Sequence, residues 1–389
     1  MRWLVVALAV VLYLPTARFG FVQDDRAIIA TNPAAHSVAT ALRAFGQPYW
    51  PPPAQGGLYR PLTILSYAVD WSVSSGRAGW LHLMNAVWHG LATLLLMLVL
   101  ARWLPEHGVL TAGLVFAAHP VHVEAVAGLV GRADLLVAVA LLGAVLAARR
   151  QRWGVACVLA VAAMLSKEHG VAVGVVLLLD DWLHSSSGRP AYPARFYAAL
   201  GALTLVFLGV WRQVGGAGAH DVAPPFLGAP AGARLAIALP ALWRAARLMI
   251  WPLDLSADYN PQVIPAYVGV SLAAIAGVIV VAGVLWLALS CRRRAPAVTF
   301  ATAIAVLALA PTSNLFFASG VVLAERALYL PLLLAATGAG LGVTALVGRG
   351  RRIAAIVGAA VITCALGVRT LDREPLWRDN RTFLLTLLT

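Results

Sequence analysis

Two adjacent carboxylates, Asp24 and Asp25, directly follow the first apolar segment of the chain. Ionisable groups at a membrane boundary cost free energy unless they are hydrated, paired or used in chemistry, so this pair marks a candidate functional site. The alternative interpretation is a solvated turn in which Arg26 pairs with one of the acids. The choice depends on what the rest of the chain brings to the same place.

A second candidate is the run His119-Pro-Val-His122-Val-Glu124. Its imidazoles and carboxylate could hold a metal ion, although Pro120 interrupts the spacing. Hydrogen bonding to a phosphate group is our preferred interpretation, and buried polar packing is the third. We assign no metal ligands, so a divalent metal is an open alternative.

Two further pairs, Lys167-Glu168 and Glu325-Arg326, lie between apolar segments. Each could be a self-neutralising pair, or its cation could face an anionic headgroup. Under the topology given below, many polar residues from at least six segments gather at one membrane edge, whereas simple anchors would stand singly. This set comprises Asp24, Asp25, Arg60, His82, Asn85, His89, His119, His122, Glu124, Arg132, Asp134, Lys167, Glu168, His169, Glu325 and Arg326.

Membrane-spanning helices are the elements expected to position these residues. The 389-residue sequence is 61% hydrophobic and 12% charged, with a mean hydropathy of +0.83, whereas soluble domains are roughly 45–50% apolar and 25% charged. The net charge of +13 is scattered in short arginine clusters, which argues against a nucleic-acid-binding domain. The three cysteines are far apart, which argues against a disulfide framework. We therefore predict an all-α polytopic membrane protein.

Eleven apolar segments are predicted to span the membrane. They cover residues 3–22, 80–104, 109–130, 133–150, 152–166, 169–183, 196–214, 266–290, 296–316, 328–347 and 352–369. Arginine clusters at 149–152, 292–294 and 349–352 then fall on one side, which predicts that side as cytoplasmic. The N-terminus is accordingly placed inside, and the polar edge and the C-terminus outside.

Two long external loops are predicted between these spans. The first, 18–79, contains two stretches with the helical apolar spacing of interfacial amphipathic helices, at 34–45 and 62–73. The second, 215–265, begins with a Gly- and Pro-rich loop and continues into 234–251, which we interpret as an interfacial helix or a re-entrant pair.

Seven motifs occur in order over almost the whole chain: GFVQDD…N, YRPLTILSY, HLMNAVWHG, FAAHPVHVEAVAGLVGRADLL, MLSKEHG, WPLDLSADY and LAERALYLP. In this combination the sequence resembles the transmembrane and tetratricopeptide-repeat-containing (TMTC-type) protein O-mannosyltransferases, in a bacterial form. The resemblance implies a GT-C glycosyltransferase fold over 1–370. Family members continue into tetratricopeptide repeats where this sequence has 371–389, an expected external tail.

The resemblance also implies partners and a location. The donor would be a polyprenyl-phosphate-linked sugar, with mannose expected. The acceptors would be Ser or Thr hydroxyls of proteins on the periplasmic side of a bacterial inner membrane. An inverting transfer needs a general base, for which the matched acids Asp24 and Asp25 are the candidates. Asp24 is favoured, because the first acid of such a pair is the base in related GT-C families.

Cations should face the departing phosphate, because preorganised charge there stabilises the transition state. The candidates for this role are His119, Arg132, Lys167 and Arg326. The other residues assigned to the site are Arg60, His122, Glu124, Asp134, Glu168 and Glu325.

Two other functions compete with this assignment. One is a GT-C transferase whose acceptor is a lipid or a glycan. The other is a transporter or flippase, which predicts charges at mid-membrane and an inverted repeat. Neither of those two features is visible in the sequence.

Overall fold

The structure, a computed structural model, describes residues 1–53, 57–184, 191–215, 222–259, 263–264 and 271–386. Within these ranges the regular structure is entirely helical. The α-helices are α1 Arg2–Val11, α2 Val38–Ala41, α3 Pro61–Ser74, α4 Ala78–Leu100, α5 Glu106–Ala118, α6 Val123–Ala127, α7 Arg132–Arg149, α8 Trp153–Ser166, α9 Val173–His184, α10 Ala194–Val214, α11 Ala231–Ile250, α12 Leu272–Ser290, α13 Pro296–Leu309, α14 Leu332–Gly348, α15 Arg352–Arg373 and α16 Asn380–Thr386.

Several helices are long and apolar enough to cross a membrane. In the described ranges there are five: Ala78–Leu100, Leu129–Arg149, Ala194–Val214, Leu272–Ser290 and Arg352–Trp377. A sixth is obtained if Glu106–Ala118 and Pro120–Ala127, which meet at 49°, form one broken span. The predicted all-α polytopic fold is therefore confirmed, and the chain is an integral membrane protein.

The predicted count of eleven spans stays a prediction. Each of the eleven segments contains an α-helix, but α1, α8, α9, α13 and α14 have only 10 to 17 residues. Short 3₁₀ turns continue some of them, at Leu14–Arg18 after α1 and at Ala310–Thr312 after α13. Both turns contain a proline, which lacks the N–H that a continuing α-helix needs.

Helices α4, α5 and α7 occupy the centre of the bundle. The apolar stretch that contains α7 is 78% buried, whereas that of α12 is 11% buried and therefore faces the surroundings. Small residues allow close contact between α5 and α14, since a Cβ on Gly340 would lie 2.5 Å from the carbonyl oxygen of Gly108. Such small-residue contacts are typical of packed membrane helices.

The first external loop has a hydrophobic core of its own. Of its two predicted interfacial helices, 62–73 is confirmed as part of α3. The prediction for 34–45 is wrong in its continuity, because Pro33 and the Ser37 cap divide it into a 3₁₀ turn, α2 and a second 3₁₀ turn. Buried side chains join these pieces to α3 and to the turn before α7: Ile28, Ile29, Ala35, Ala41, Ala44, Tyr49, Ile64, Tyr67, Ala68, Leu81 and Leu129.

The second external loop contains α11, which is one continuous helix. The re-entrant pair considered for this segment is therefore not what the structure shows. A Cβ on Gly277 of α12 would lie 2.2 Å from the carbonyl oxygen of Leu239, so the two helices touch at their backbones. Within the Gly- and Pro-rich loop that precedes α11, residues 216–221 lie outside the described residues.

The C-terminal segment is packed against the first external loop, which corrects the expectation of a simple tail. After α15, a 3₁₀ turn and α16 bury Trp377 and Phe383. The amide of Gly20 donates to the carbonyl of Arg378 at 2.9 Å, and the amide of Gln23 donates to Oδ1 of Asn380 at 2.8 Å. The chain end thus holds the residues that directly precede the acidic pair.

Ion pairs distinguish the two ends of the bundle. At one end, Arg149 binds Asp180 of α9 at 2.7 Å. Arg292 lies 3.5 Å from the ring centroid of Trp182, two residues after Asp180 on the same helix. At the other end, Lys167 binds Asp134 between the end of α8 and the start of α7. The arginine clusters and the polar edge therefore lie at opposite ends of the helices.

Candidate active site

Asp25 ties the loop after α1 to the start of α7. Its Oδ2 accepts a hydrogen bond from the amide of Val22 at 3.1 Å, and its Oδ1 accepts one from the amide of Val130 at 3.0 Å. The side chain is 1% exposed, and burial raises the pKa of Asp25 to about 7 against the two stabilising amides. Both carboxylate oxygens are thus engaged internally.

Asp24 has the opposite environment. It is half-buried, and its carboxylate accepts no hydrogen bond from the part of the chain that the structure describes. It lies within electrostatic range of Arg326 and Tyr49. Of the two acids, only Asp24 has a carboxylate that is free to meet a ligand.

One buried and one half-buried ion pair belong to the same region. Nζ of Lys167 binds both oxygens of Asp134, at 2.8 and 2.7 Å, which leaves one ammonium proton unused. Arg60 donates to the carboxylate of Glu168 from Nε and Nη2, at 2.7 to 3.2 Å, and its guanidinium lies over the ring of Tyr49. Burial lowers the pKa of Lys167, which Asp134 partly offsets, while the charge of Arg60 lowers it further.

The Glu325-Arg326 pair divides between two partners. Arg326 donates its backbone amide to Glu124 at 2.9 Å and pairs with the same carboxylate through Nη1 at 3.3 Å. Its side chain is still 28% exposed. Glu325 is fully buried. Its carboxylate pairs with Arg373 at 2.8 Å and accepts a hydrogen bond from the hydroxyl of Tyr259 at 2.6 Å. Glu325 therefore stabilises the fold beside the site, and only Arg326 faces it.

These groups form one cluster. Arg326 is within electrostatic range of Asp24, Asp134 and Arg60, and Lys167 is within range of Arg60 and Arg326. They come from the first external loop, the start of α7, the residues after α8 and the turn before α14. Part of the set expected from the sequence, namely Asp24, Arg60, Asp134, Lys167 and Arg326, is thus brought together at one end of the bundle.

Arg132 does not face this cluster. It is fully buried and donates to Asn85 at 2.7 Å, to the carbonyls of Leu81 and Ser66, and to Asp70. Its guanidinium also lies 4.8 Å from the ring centroid of Tyr67. Because these partners use nearly all of its donors, we leave Arg132 out of the phosphate-binding group.

The two histidines also point into the protein. His119 is 2% exposed, and its Nδ1 accepts from the amide of Val121 at 3.2 Å, which caps the turn after α5. His122 is packed between Phe116 and Tyr329, with ring centroids 4.5 and 4.4 Å away. Packing is therefore the interpretation that their surroundings favour.

The metal alternative for His119, His122 and Glu124 receives no geometric support. Among the described residues, no group of three His, Cys, Asp or Glu side chains is placed to hold a metal ion. Glu124 is engaged by Arg326 instead.

Sequence reasoning missed two residues beside the acids, Tyr49 and Asn380. Tyr49 is 4% exposed, and its hydroxyl lies beside that of Tyr67. His169, which belongs to the polar set predicted from the sequence, lies near Lys167, Asp134 and Glu168. Asn380 binds the amide before Asp24. Only Asn380 lacked any usable signal, since its contact spans 357 residues of sequence.

Comparisons with known proteins found similar sequences and one similar solved structure. No protein-family model matches it. Among solved structures, ArnT from Cupriavidus metallidurans, solved with bound undecaprenyl phosphate, is similar with a TM-score of 0.40 and 17% identity, over 96% of this chain and 77% of ArnT.

Curated relatives carry one recurring name. Protein O-mannosyl-transferase Tmtc2 of Drosophila melanogaster is 38% identical over 47% of this chain and 22% of its own length. The Caenorhabditis elegans protein O-mannosyl-transferase F38B6.6 is 27% identical over 84% of this chain and 49% of its own length. Mouse TMTC3 is 31% identical over 44% of this chain and 20% of its own length.

The chain spans at most about half the length of these three curated relatives. The matches confirm the resemblance read from the motifs. Over the segment that it shares with them, the chain is therefore a relative of the TMTC-type protein O-mannosyltransferases.

Proposed function

We propose that the chain is a membrane glycosyltransferase that moves a sugar, with mannose as the expected one, from a polyprenyl-phosphate-linked donor to Ser or Thr hydroxyls of proteins. The observation that carries the proposal is the half-buried carboxylate of Asp24, which accepts no hydrogen bond from the described residues and lies within electrostatic range of Arg326, in one cluster with Lys167. A base and cations of this kind are what glycosyl transfer from a lipid phosphate requires.

Asp24 is the general base in this proposal. The acceptor oxygen attacks the anomeric carbon from the side opposite the phosphate, its proton passes to Asp24, and the sugar-phosphate bond breaks with inversion. A base must reach the proton that it takes, so access weighs more than basicity. Burial raises the pKa of Asp25, but its two oxygens are bound to Val22 and Val130, so it positions the loop.

Lys167 and Arg326 bind the donor phosphate. The polyprenyl phosphate that leaves carries the negative charge, and the free ammonium proton of Lys167 and the exposed guanidinium of Arg326 stabilise it. Arg60 and Glu168 brace this region through their bidentate pair. Lys167 is the only lysine among 29 basic residues. A compact ammonium suits a position where a carboxylate and a phosphate share one cation.

The site faces the non-cytoplasmic side in this proposal. The arginine clusters lie at the opposite end of the helices, and the positive-inside rule places those clusters in the cytoplasm. For a bacterial chain, the membrane is then the inner one and the acceptors are periplasmic.

The proposal is tested by incubating the purified full chain with radiolabelled polyprenyl-phosphate-mannose and protein, glycan or lipid acceptors, with and without chelator. Wild type is expected to label Ser or Thr of a protein acceptor. Asp24→Asn should abolish transfer but keep donor binding, while Lys167→Ala should weaken donor binding. Transfer only to lipid or glycan would refute the proposed acceptor, and full activity of Asp24→Asn would refute the proposed base.

A further inference from the structure

We infer that a cleft in the first external loop binds an extended segment of the acceptor polypeptide next to Asp24. The cleft has a volume of about 460 Å³, which is within the size range of ordinary ligand pockets. The inference rests on the proposed function, because it assigns the cleft to the acceptor of that reaction.

Tyr49 connects the cleft to the candidate active site. It lines the cleft, and it also lies within electrostatic range of Asp24, Asp25, Arg60 and Arg326. The guanidinium of Arg60 lies 4.9 Å from the centroid of the Tyr49 ring. A ligand in the cleft therefore reaches residues of the candidate active site.

The remaining lining indicates what the ligand is. Trp50 and three prolines, Pro48, Pro51 and Pro52, form an apolar wall, and aromatic grooves of this type receive extended, proline-compatible peptides. Gln47 is exposed on the rim and can hydrogen-bond a peptide backbone. A polypeptide, which has both polar backbone groups and apolar side chains, fits this mixture better than a lipid chain.

The charge on the cleft lining restricts the kind of peptide that can bind. Arg43 is exposed, is the only charged residue that lines the cleft within the described part of the chain, and has no ion-pair partner there. An unpaired arginine on the rim favours a segment with an Asp or Glu near the modified Ser or Thr. The occupant is accordingly an acidic extended peptide whose hydroxyl is presented to Asp24.

Direct binding tests this without requiring transfer. Two fluorescent synthetic peptides with one central Thr, flanked by Asp in one and by Lys in the other, are titrated onto the detergent-solubilised full chain without donor. Wild type should prefer the acidic peptide. Trp50→Ala should weaken both peptides about tenfold, as loss of an aromatic anchor does. Arg43→Glu should reverse the preference. The matched control Arg77→Glu changes an exposed arginine of the same loop outside the cleft and should match wild type.

The other outcomes are informative as well. Equal peptide affinity in wild type, Trp50→Ala and Arg43→Glu, or no peptide binding to wild type, would overturn the inference. Loss of polyprenyl-phosphate-mannose binding in Trp50→Ala with peptide binding intact would assign the cleft to the donor sugar and overturn it too. If the peptides bind as expected but receive no sugar, the proposed function fails while the peptide cleft stands.

Discussion

At the scale of single residues, two neighbouring acids acquire different tasks from their surroundings. Asp25 is bound by two backbone amides and buried, whereas Asp24 is half-buried and within electrostatic range of the Arg326 guanidinium. Adjacent side chains in a tight turn point in different directions, so only one of them can face the bundle interior. The division between a positioning acid and a reacting acid follows from that geometry.

The raised pKa of Asp25 predicts how stability depends on pH. Its pKa is 3.8 ordinarily and about 7 in the folded chain, so the folded state binds more protons between these values and stability falls as pH rises through that window. The loss reaches about 4 kcal/mol when ionisation is complete. Melting temperatures of wild type and Asp25→Asn, measured from pH 5 to 8, should therefore shift in favour of the variant as pH rises. A constant difference across this range would contradict the assignment.

At the scale of elements, Arg132 joins α7 to α3 and α4. Arg132→Met leaves Asp70 without its partner, which should lower stability by about 3–5 kcal/mol, as for other broken buried pairs. The same substitution at the more exposed Arg326 should change the melting temperature much less but weaken donor binding. Thermal melts and polyprenyl-phosphate titrations on both variants separate the roles. Weakened donor binding in folded Arg132→Met would return Arg132 to the phosphate site.

The C-terminal segment is a second element that acts on the site from a distance. The side-chain oxygen of Asn380 accepts a hydrogen bond from the backbone amide of Gln23, the residue directly before Asp24. Gln23 has a φ of 47°, in the left-handed region, and this hydrogen bond helps to hold it there. Asn380→Leu should lower kcat about 10- to 100-fold by displacing the acid, with little effect on the donor KM. Asn380→Asp keeps the acceptor oxygen and should retain most activity. Arg381→Leu, an exposed neighbour, is the control.

Equal losses of kcat in Asn380→Leu and Asn380→Asp would contradict this positioning role. So would a loss that follows the melting temperature alone, because a merely structural residue gives that result. Rescue by the acid at the same position separates the two cases.

At the scale of the whole molecule, the arginine clusters and the polar site occupy opposite ends of the helices. In a variant lacking Cys157, Cys291 and Cys364, an introduced cysteine at Gln47 should react with an impermeant maleimide in intact cells. One at Arg293 should react only after permeabilisation. Labelling in the reverse order would place the site in the cytoplasm and remove a periplasmic acceptor.

Most of the architecture was predictable from the sequence, and the reasons are physical. Apolar runs must be helical in a bilayer because every backbone group has to bond within its own segment. Helix interruptions at Pro15, Pro120 and Pro311 shortened several predicted spans, since bundle packing decides whether a proline ends a helix or only bends it. Pro240, inside the continuous α11, shows the other outcome.

The candidate site was predicted as a set of residues, and its contacts were not predictable. Composition and motif order singled out the acidic pair and the pairs Lys167-Glu168 and Glu325-Arg326, because charges at membrane edges are costly and therefore conspicuous. Arg132 carries the same charge in the same kind of position, yet it is sealed among Asp70, Asn85 and Tyr67. A charge in the sequence gives no indication of which partners burial will supply.

The sequence by itself determined an all-α membrane protein, its similarity to the TMTC-type protein O-mannosyltransferases and a pair of acids after the first apolar segment, because those properties depend on local composition and order. Only the tertiary structure decided which acid is free, which cations face it, and that Tyr49 and Asn380 flank it. Those facts depend on contacts between segments as far as 357 residues apart. Such contacts are set by packing and leave no periodic trace in the chain.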